Sequence, residues 1–157
     1  MLPITTPGEQ VASARTNLFP QDAPVCGVDR LIGVVIGANV NQTNTDIAIP
    51  LLLLANANFV VTAIYVNNAS ISLTTATFGV FNQTGGSGTA LVTAGAVLSA
   101  LTSATVNLSA TLVAAGTTNV VLNGGTLGTP NTLYFRVGTA QGAAATCDVY
   151  IWAKVLT

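Results

Sequence analysis

The chain carries no charged side chain between Asp46 and Arg136, and this long neutral stretch limits what the protein can be. Its most apolar part, residues 50–66, contains two asparagines and is shorter than the roughly 20 residues that a membrane-spanning helix requires. Elsewhere the stretch mixes apolar residues with Thr, Ser, Asn and Gly. We therefore expect a folded domain with an almost uncharged surface and no membrane partner.

Ionisable side chains are scarce in the whole chain: 157 residues include four Lys or Arg, five Asp or Glu and no histidine. Without histidine, the Ser-His-Asp and Cys-His arrangements of nucleophilic hydrolases cannot be built. The few carboxylates form no paired or calcium-binding motif, and four cations cannot neutralise a row of phosphates. The composition therefore predicts no enzyme, no cofactor or metal, no small-molecule substrate and no direct contact with nucleic acid.

The same scarcity of charge predicts a protein that assembles. A folded monomer of this size exposes roughly 7,300 Å², so the charged residues leave about one charge on a patch of the size that a standard interface buries, about 800 Å² per partner. A weakly charged face loses little hydration energy when a partner covers it. We expect such faces to meet copies of the chain or another protein.

Residues 1–28 differ from the rest because they contain four of the six prolines, which disfavour a long helix. We predict an extended N-terminal arm at 1–28 and a β-sandwich domain at 29–157. Apolar side chains in the arm would be unfavourable to leave in water, so we expect them to contact a partner. The candidate interface residues in the arm are Leu2, Ile4, Leu18 and Phe19.

After the arm, segments rich in β-branched and aromatic residues alternate with turns that contain Gly and Asn. Pro50 marks the second segment as a short edge strand, and the glycine-rich residues 82–88 predict a hairpin. This spacing predicts an all-β, antiparallel β-sandwich of about eight strands. The predicted strand segments are 30–38, 44–49, 59–66, 70–81, 89–92, 104–113, 120–122, 133–137 and 147–156.

The last strand has the clearest alternation of apolar and polar positions. One face carries Cys147, Val149, Ile151, Ala153 and Val155, and the other carries Asp148, Tyr150, Trp152 and Lys154. Tyr150 and Trp152 are therefore expected either to be exposed to a partner or to pack under another strand. An aromatic pair with a polar rim suits a sugar or a protein interface.

Two cysteines, Cys26 and Cys147, lie far apart and have no companion ligands for zinc. Residues 1–10 lack the basic residue and the continuous apolar run of a secretory signal, so we expect the chain to stay where it is made. A reducing compartment favours two free, mostly buried thiols. A bridge between Cys26 and Cys147 is the alternative.

Three stretches together resemble the small all-β decoration, or cement, proteins of tailed bacteriophage heads: TDIAIP at 45–50, LTTATFGVFNQTGGSGTALV at 73–92 and LYFRVGTAQGAAATCDVYIWAKVL at 133–156. The resemblance implies a jelly-roll or related sandwich on the capsid exterior, made in the host cytoplasm. It also implies a homotrimer that clamps neighbouring copies of the major capsid protein. The alternative is a carbohydrate- or receptor-binding module of a phage tail, fibre or cell surface, which would use exposed aromatic residues.

Overall fold

The protein is described by a computed structural model over residues 28–53, 57–113, 121–123, 125–126, 129–130 and 132–156. Over these residues it is all-β, with a single short 3-10 turn at Thr84–Gly86. The predicted arm and its four candidate residues lie outside the described residues. The longer strands are β1 Asp29–Asn39, β2 Thr45–Pro50, β3 Asn58–Asn67, β4 Thr77–Phe81, β5 Ala90–Val97, β10 Thr132–Thr139 and β11 Thr146–Val155. The short ones are β6 Leu108–Ser109, β7 Val121–Asn123, β8 Gly125–Thr126 and β9 Thr129–Pro130.

The strands form two antiparallel sheets that pack face to face, which confirms the predicted sandwich. The five-stranded sheet has the order β1-β11-β3-β6, and β7 also pairs with β3. The four-stranded sheet has the order β2-β10-β4-β5, and β8 and β9 pair only with each other. The chain thus passes between these two sheets after β1, β2, β3, β5 and β10, and also between β7 and β10, which is a jelly-roll-like connectivity. Pro50 ends β2 at an edge, as predicted, where its missing N–H costs no ladder bond.

The described residues form one apolar core between the sheets, with side chains from both. Within the four-stranded sheet, Phe78 and Phe135 stack with ring centroids 5.1 Å apart. Burying one such side chain contributes roughly 1.5–3 kcal/mol. The largest fully buried side chains are Phe59, Phe78, Phe135, Ile32, Ile49, Ile64, Leu73, Leu98, Leu101, Leu133, Ile151 and Val40.

Four loops at one end of the sandwich, 40–44, 68–76, 98–107 and 140–145, are linked by hydrogen bonds. Val40 N–H donates to the Ala145 carbonyl at 3.0 Å, and Leu73 N–H donates to the Leu101 carbonyl at 2.9 Å. The Gln141 side chain accepts hydrogen bonds from the backbone N–H groups of Thr75 and Ala76 at 3.2 Å each, and it donates to the Ser72 carbonyl at 3.1 Å. These bonds satisfy backbone groups that no strand partner reaches.

The β4–β5 hairpin loop is fastened against the outer face of the four-stranded sheet. Asp46 Oδ2 accepts a 2.7 Å hydrogen bond from Gly85 N–H, and its Oδ1 pairs with Arg136 Nη1 at 2.8 Å. Gly86 lies so close to the Arg136 side chain that an added Cβ would be 3.0 Å from Cδ. Partial burial raises the pKa of Asp46, but the Gly85 hydrogen bond and Arg136 outweigh it, so the pKa is lowered.

Two predicted strands are shorter than the sequence indicates. Of the predicted 70–81 segment, only Thr77–Phe81 pairs in a sheet. The residues before it form a loop because Leu73 turns into the core and its N–H bonds to the Leu101 carbonyl at 2.9 Å. The prediction of a strand from residue 70 was therefore wrong over its first half.

Residues 104–113 alternate between apolar and polar side chains as predicted, but most of them do not pair with a neighbouring strand. Ala110 N–H bonds to the Ile64 carbonyl of β3 at 2.9 Å, whereas Val113 N–H bonds to the Leu91 carbonyl of β5 at 2.8 Å. The segment thus crosses from one sheet to the other, and only Leu108–Ser109 remains in a ladder. Its apolar residues still face the core, since they are half-buried and pack against it.

Cys147 carries a free thiol that is fully buried at the start of β11, which agrees with the favoured prediction for this cysteine. Cys26 lies outside the described residues. Burial, and secondarily the charge of Asp148, raise the pKa of Cys147 from 9.0 to about 12. The thiol is therefore neutral and shielded in the folded protein.

This raised pKa predicts a specific loss of stability in alkali. Folding favours the neutral form of the thiol. The thiol therefore contributes its full share to the free energy of unfolding below about pH 9, and this share is lost as the pH rises toward 12. Over that interval the free energy of unfolding should fall more steeply in the native chain than in Cys147→Ala, by up to about 1.4 kcal/mol per pH unit. Urea unfolding at a series of pH values measures both slopes, and equal slopes would contradict the assignment.

Candidate functional site

Strand β11 runs through the middle of the five-stranded sheet, with one row of side chains in the core and the other on the outer face. Its inward row is 0–1% exposed. Of its outward row, Trp152 is 37% exposed and Tyr150 is half-buried. The predicted alternation is confirmed, and the aromatic pair lies on the outer face of the sheet. The inward residues are Cys147, Val149, Ile151, Ala153 and Val155.

Neighbouring strands extend the aromatic pair into a larger surface. Tyr65 of β3 stands directly opposite Tyr150 and is 40% exposed. Ala63 stands opposite Trp152, and its small side chain leaves room beside the indole. We call Tyr65, Tyr150 and Trp152 the aromatic face. The three rings line an open concavity of about 760 Å³.

Polar side chains complete the wall of the concavity. A bulge in β3 places Thr62 next to Ala63 on the same outer face, where both line the concavity. Asn67, at the end of β3, and Asn107, just before β6, contribute two amides. The Asn67 Oδ1 is buried and has no hydrogen-bond partner among the described residues. The concavity therefore combines aromatic rings with hydroxyl and amide groups.

The exposed charged side chains of this surface lie at one rim. Asp29 lines the concavity at the start of β1 and faces Lys154 across the β1–β11 ladder. The field across the aromatic face is consequently weak, and an ionic ligand would find little to attract it there.

Asp148, the outward position of β11 that precedes Tyr150, lies at one end of the aromatic face. It is only 6% exposed, yet both carboxylate oxygens have donors: Gly37 N–H at 2.8 Å and Asn68 Nδ2 at 2.9 Å. Gly37 and Asn68 both have positive φ angles, 68° and 51°. A single carboxylate thus fixes a β1 bulge and the turn after β3, which are two backbone conformations that most residues avoid.

The structure brings together two of the six candidate interface residues, Tyr150 and Trp152. The other four, all in the arm, lie outside the described residues. Tyr65, Thr62, Asn67 and Asn107 were not singled out from the sequence. Tyr65 lies in the predicted 59–66 strand, but strict alternation from Phe59 would have placed it in the core, and Asn107 carries no signal without the fold.

Further exposed apolar side chains lie away from the aromatic face. Ile36, Ile71 and Val97 lie toward the four-loop end, whereas Val28 and Leu52 lie toward the other. A second cleft of about 400 Å³ separates β5 from residues 108–113 and is lined largely by apolar side chains. The described surface therefore offers uncharged contact areas on several sides.

In the described part of the chain, no three His, Cys, Asp or Glu side chains come close enough to hold a metal ion. The same residues include no helix with the length and hydrophobicity of a membrane span. Comparisons of the chain with protein-family models, curated proteins and solved structures find no match.

The role of Asp148 gives a stability prediction. In Asp148→Ala, the donors on Gly37 and Asn68 lose their acceptor, which should lower the free energy of unfolding by about 1–3 kcal/mol. The matched control is Asp29→Ala, an exposed aspartate on the same sheet face, which should change it by less than about 0.5 kcal/mol. Urea denaturation followed by Trp152 fluorescence measures both. Equal effects of the two substitutions would contradict the structural role of Asp148.

Proposed function

We propose that the protein is a structural component of a phage virion that binds the outside of the capsid and stabilises it by clamping neighbouring major capsid subunits. The observation that supports this most is the distribution of uncharged, exposed apolar side chains over both ends of the sandwich. A clamp must touch more than one neighbour, and therefore needs several separate contact areas. The jelly-roll connectivity, which capsid domains also use, is compatible with this role.

Stabilisation by such a clamp is a consequence of preferential binding. A protein that binds across a seam between mature capsid subunits stabilises the mature shell over any state in which the seam is absent or open. Uncharged contact areas lose little hydration energy when they are covered. Several weak contacts per particle reinforce one another because the first raises the effective concentration of the rest.

Two parts of the chain would supply the attachment. The first is the arm, through Leu2, Ile4, Leu18 and Phe19, which could extend to a neighbouring subunit or add a strand to its sheet edge. The second is the set of exposed apolar residues at the ends of the sandwich, such as Ile36 and Leu52. A homotrimer would triple these contacts. Tyr150 and Trp152 lie on a separate surface, the aromatic face.

The proposal predicts that the protein is recovered with phage heads in a fixed ratio to the major capsid protein. Heads that lack it should release DNA at a lower temperature than complete heads, and adding the purified protein should restore the difference. Gel densitometry measures the ratio, and a dye that reports released DNA measures heat stability. Heads of equal stability with and without the protein would overturn the proposal.

The arm can be tested separately from the sandwich. Removing residues 1–28 should leave a folded sandwich, because the described residues of both sheets already share one apolar core, but it should weaken attachment to heads. In the full chain, Phe19→Ser should weaken attachment by about tenfold or more if this side chain is an anchor, while Thr5→Ser serves as the control. Unchanged attachment of both altered chains would exclude the arm from the interface.

A further inference from the structure

We propose that the concavity on the outer face of the five-stranded sheet binds an uncharged saccharide. This site goes beyond capsid attachment, since it uses a different surface and a different ligand. The inference rests on three features of the described residues: the aromatic face, the hydroxyl and amide groups around it, and the weak charge of the whole surface.

The aromatic face suits the apolar side of a sugar ring. Tyr65 and Trp152 remain 40% and 37% exposed in the folded protein, although their rings are large and apolar. The C–H groups on one side of a pyranose ring form a flat apolar patch, and an aromatic ring covers such a patch without requiring charge. Ala63 opposite Trp152 keeps the space beside the indole open. The volume of about 760 Å³ falls within the usual range of ligand sites, about 300–1,000 Å³.

The polar groups suit sugar hydroxyls, each of which can donate and accept a hydrogen bond. Asn67, Asn107 and Thr62 can do the same, because an amide has both an oxygen and an NH₂ group and a hydroxyl has both functions. The Asn67 amide has unused capacity, since its Oδ1 has no partner among the described residues. A side-chain rotation would present that oxygen to a ligand hydroxyl.

The charges argue for a neutral ligand over an ionic one. Among the described residues that line the concavity, Asp29 is the one with a charged side chain. Its cross-strand partner in the β1–β11 ladder is Lys154, which carries the opposite charge. An acidic glycan or a nucleic acid would need a cluster of cations, which this surface does not contain among the described residues. Binding of a neutral saccharide should therefore depend little on ionic strength.

The site is held rigidly enough to recognise a ligand. Tyr65 and Tyr150 form a direct cross-strand pair at the middle of the sheet, and Trp152 follows two residues along β11. The inward neighbours Ile64 and Ile151 are fully buried, which fixes the backbone beneath the rings. A preorganised site loses less conformational entropy on binding than a flexible one. A protein partner would instead have to fill the open concavity with a protruding side chain.

Trp152 is the only tryptophan of the chain, so its fluorescence reports on this site directly. We would titrate the full chain with four neutral tetrasaccharides: cellotetraose, maltotetraose, mannotetraose and chitotetraose. At least one should change Trp152 emission in a saturable way, with an affinity confirmed by calorimetry. That affinity should change less than about twofold between about 0.05 M and about 0.5 M salt.

Variants then locate the site. Tyr65→Ala and Trp152→Ala should each weaken binding by about tenfold or more in calorimetry, whereas Trp152→Phe should retain part of it. The matched control is Tyr134→Ala, which removes a half-buried tyrosine from the other sheet and should leave binding unchanged. Circular dichroism and thermal unfolding would establish that each variant is folded.

Three results would overturn the inference. The first is that none of the four tetrasaccharides binds. The second is binding that Tyr65→Ala and Trp152→Ala leave intact. The third is self-association of the chain that Trp152→Ala abolishes without any saccharide binding, since this would make the aromatic face a protein interface. Attachment of Trp152→Ala to phage heads is measured in parallel: loss of saccharide binding with normal attachment separates this site from the proposed capsid function.

Discussion

Burial of one side of β11 is the constraint on which the rest of the structure depends. Cys147, Val149 and Ile151 are completely excluded from solvent, and the strand pairs on both sides, with β1 and with β3. Because side chains alternate along a strand, fixing the inward row also fixes Tyr150 and Trp152 on the outside. The same alternation of side chains along β11 therefore places one row in the core and the aromatic residues on the outer face.

The sequence predicted the sandwich and two of the three residues of the aromatic face for the same reason. β11 is regular, so its alternation could be read directly, whereas β3 contains a bulge at Thr62. Phe59 and Val61 face the core before the bulge, and Ile64 and Val66 face it afterwards. Strict alternation from Phe59 would have placed Tyr65 inside. Similarly, 104–113 alternates like a strand but crosses between sheets, and no local pattern could reveal that contact between distant residues.

The few charges of the described chain are placed so that they leave most of the surface neutral. Asp148 is buried among its donors, and Asp46 and Arg136 neutralise each other beside the hairpin loop. Asp29 and Lys154 oppose each other at one corner. The sequence already shows that charged residues are few. The fold shows in addition that Asp46 pairs with Arg136 and that Asp148 is buried against its donors, so the surface is still more neutral than the composition indicates. Both the proposed clamp and the proposed saccharide site depend on this neutrality, though at different surfaces.

The hairpin loop that Asp46 and Arg136 fasten gives the two outer faces of the sandwich different characters. The outer face of the four-stranded sheet carries its own hairpin loop, whereas the outer face of the five-stranded sheet exposes Tyr65 and Trp152. The two outer faces of the sandwich are therefore chemically different. If many copies were fixed to a shell in one orientation, their aromatic faces would form a regular array. Weak attraction of each copy to a ligand would then add up to strong adhesion of the whole particle.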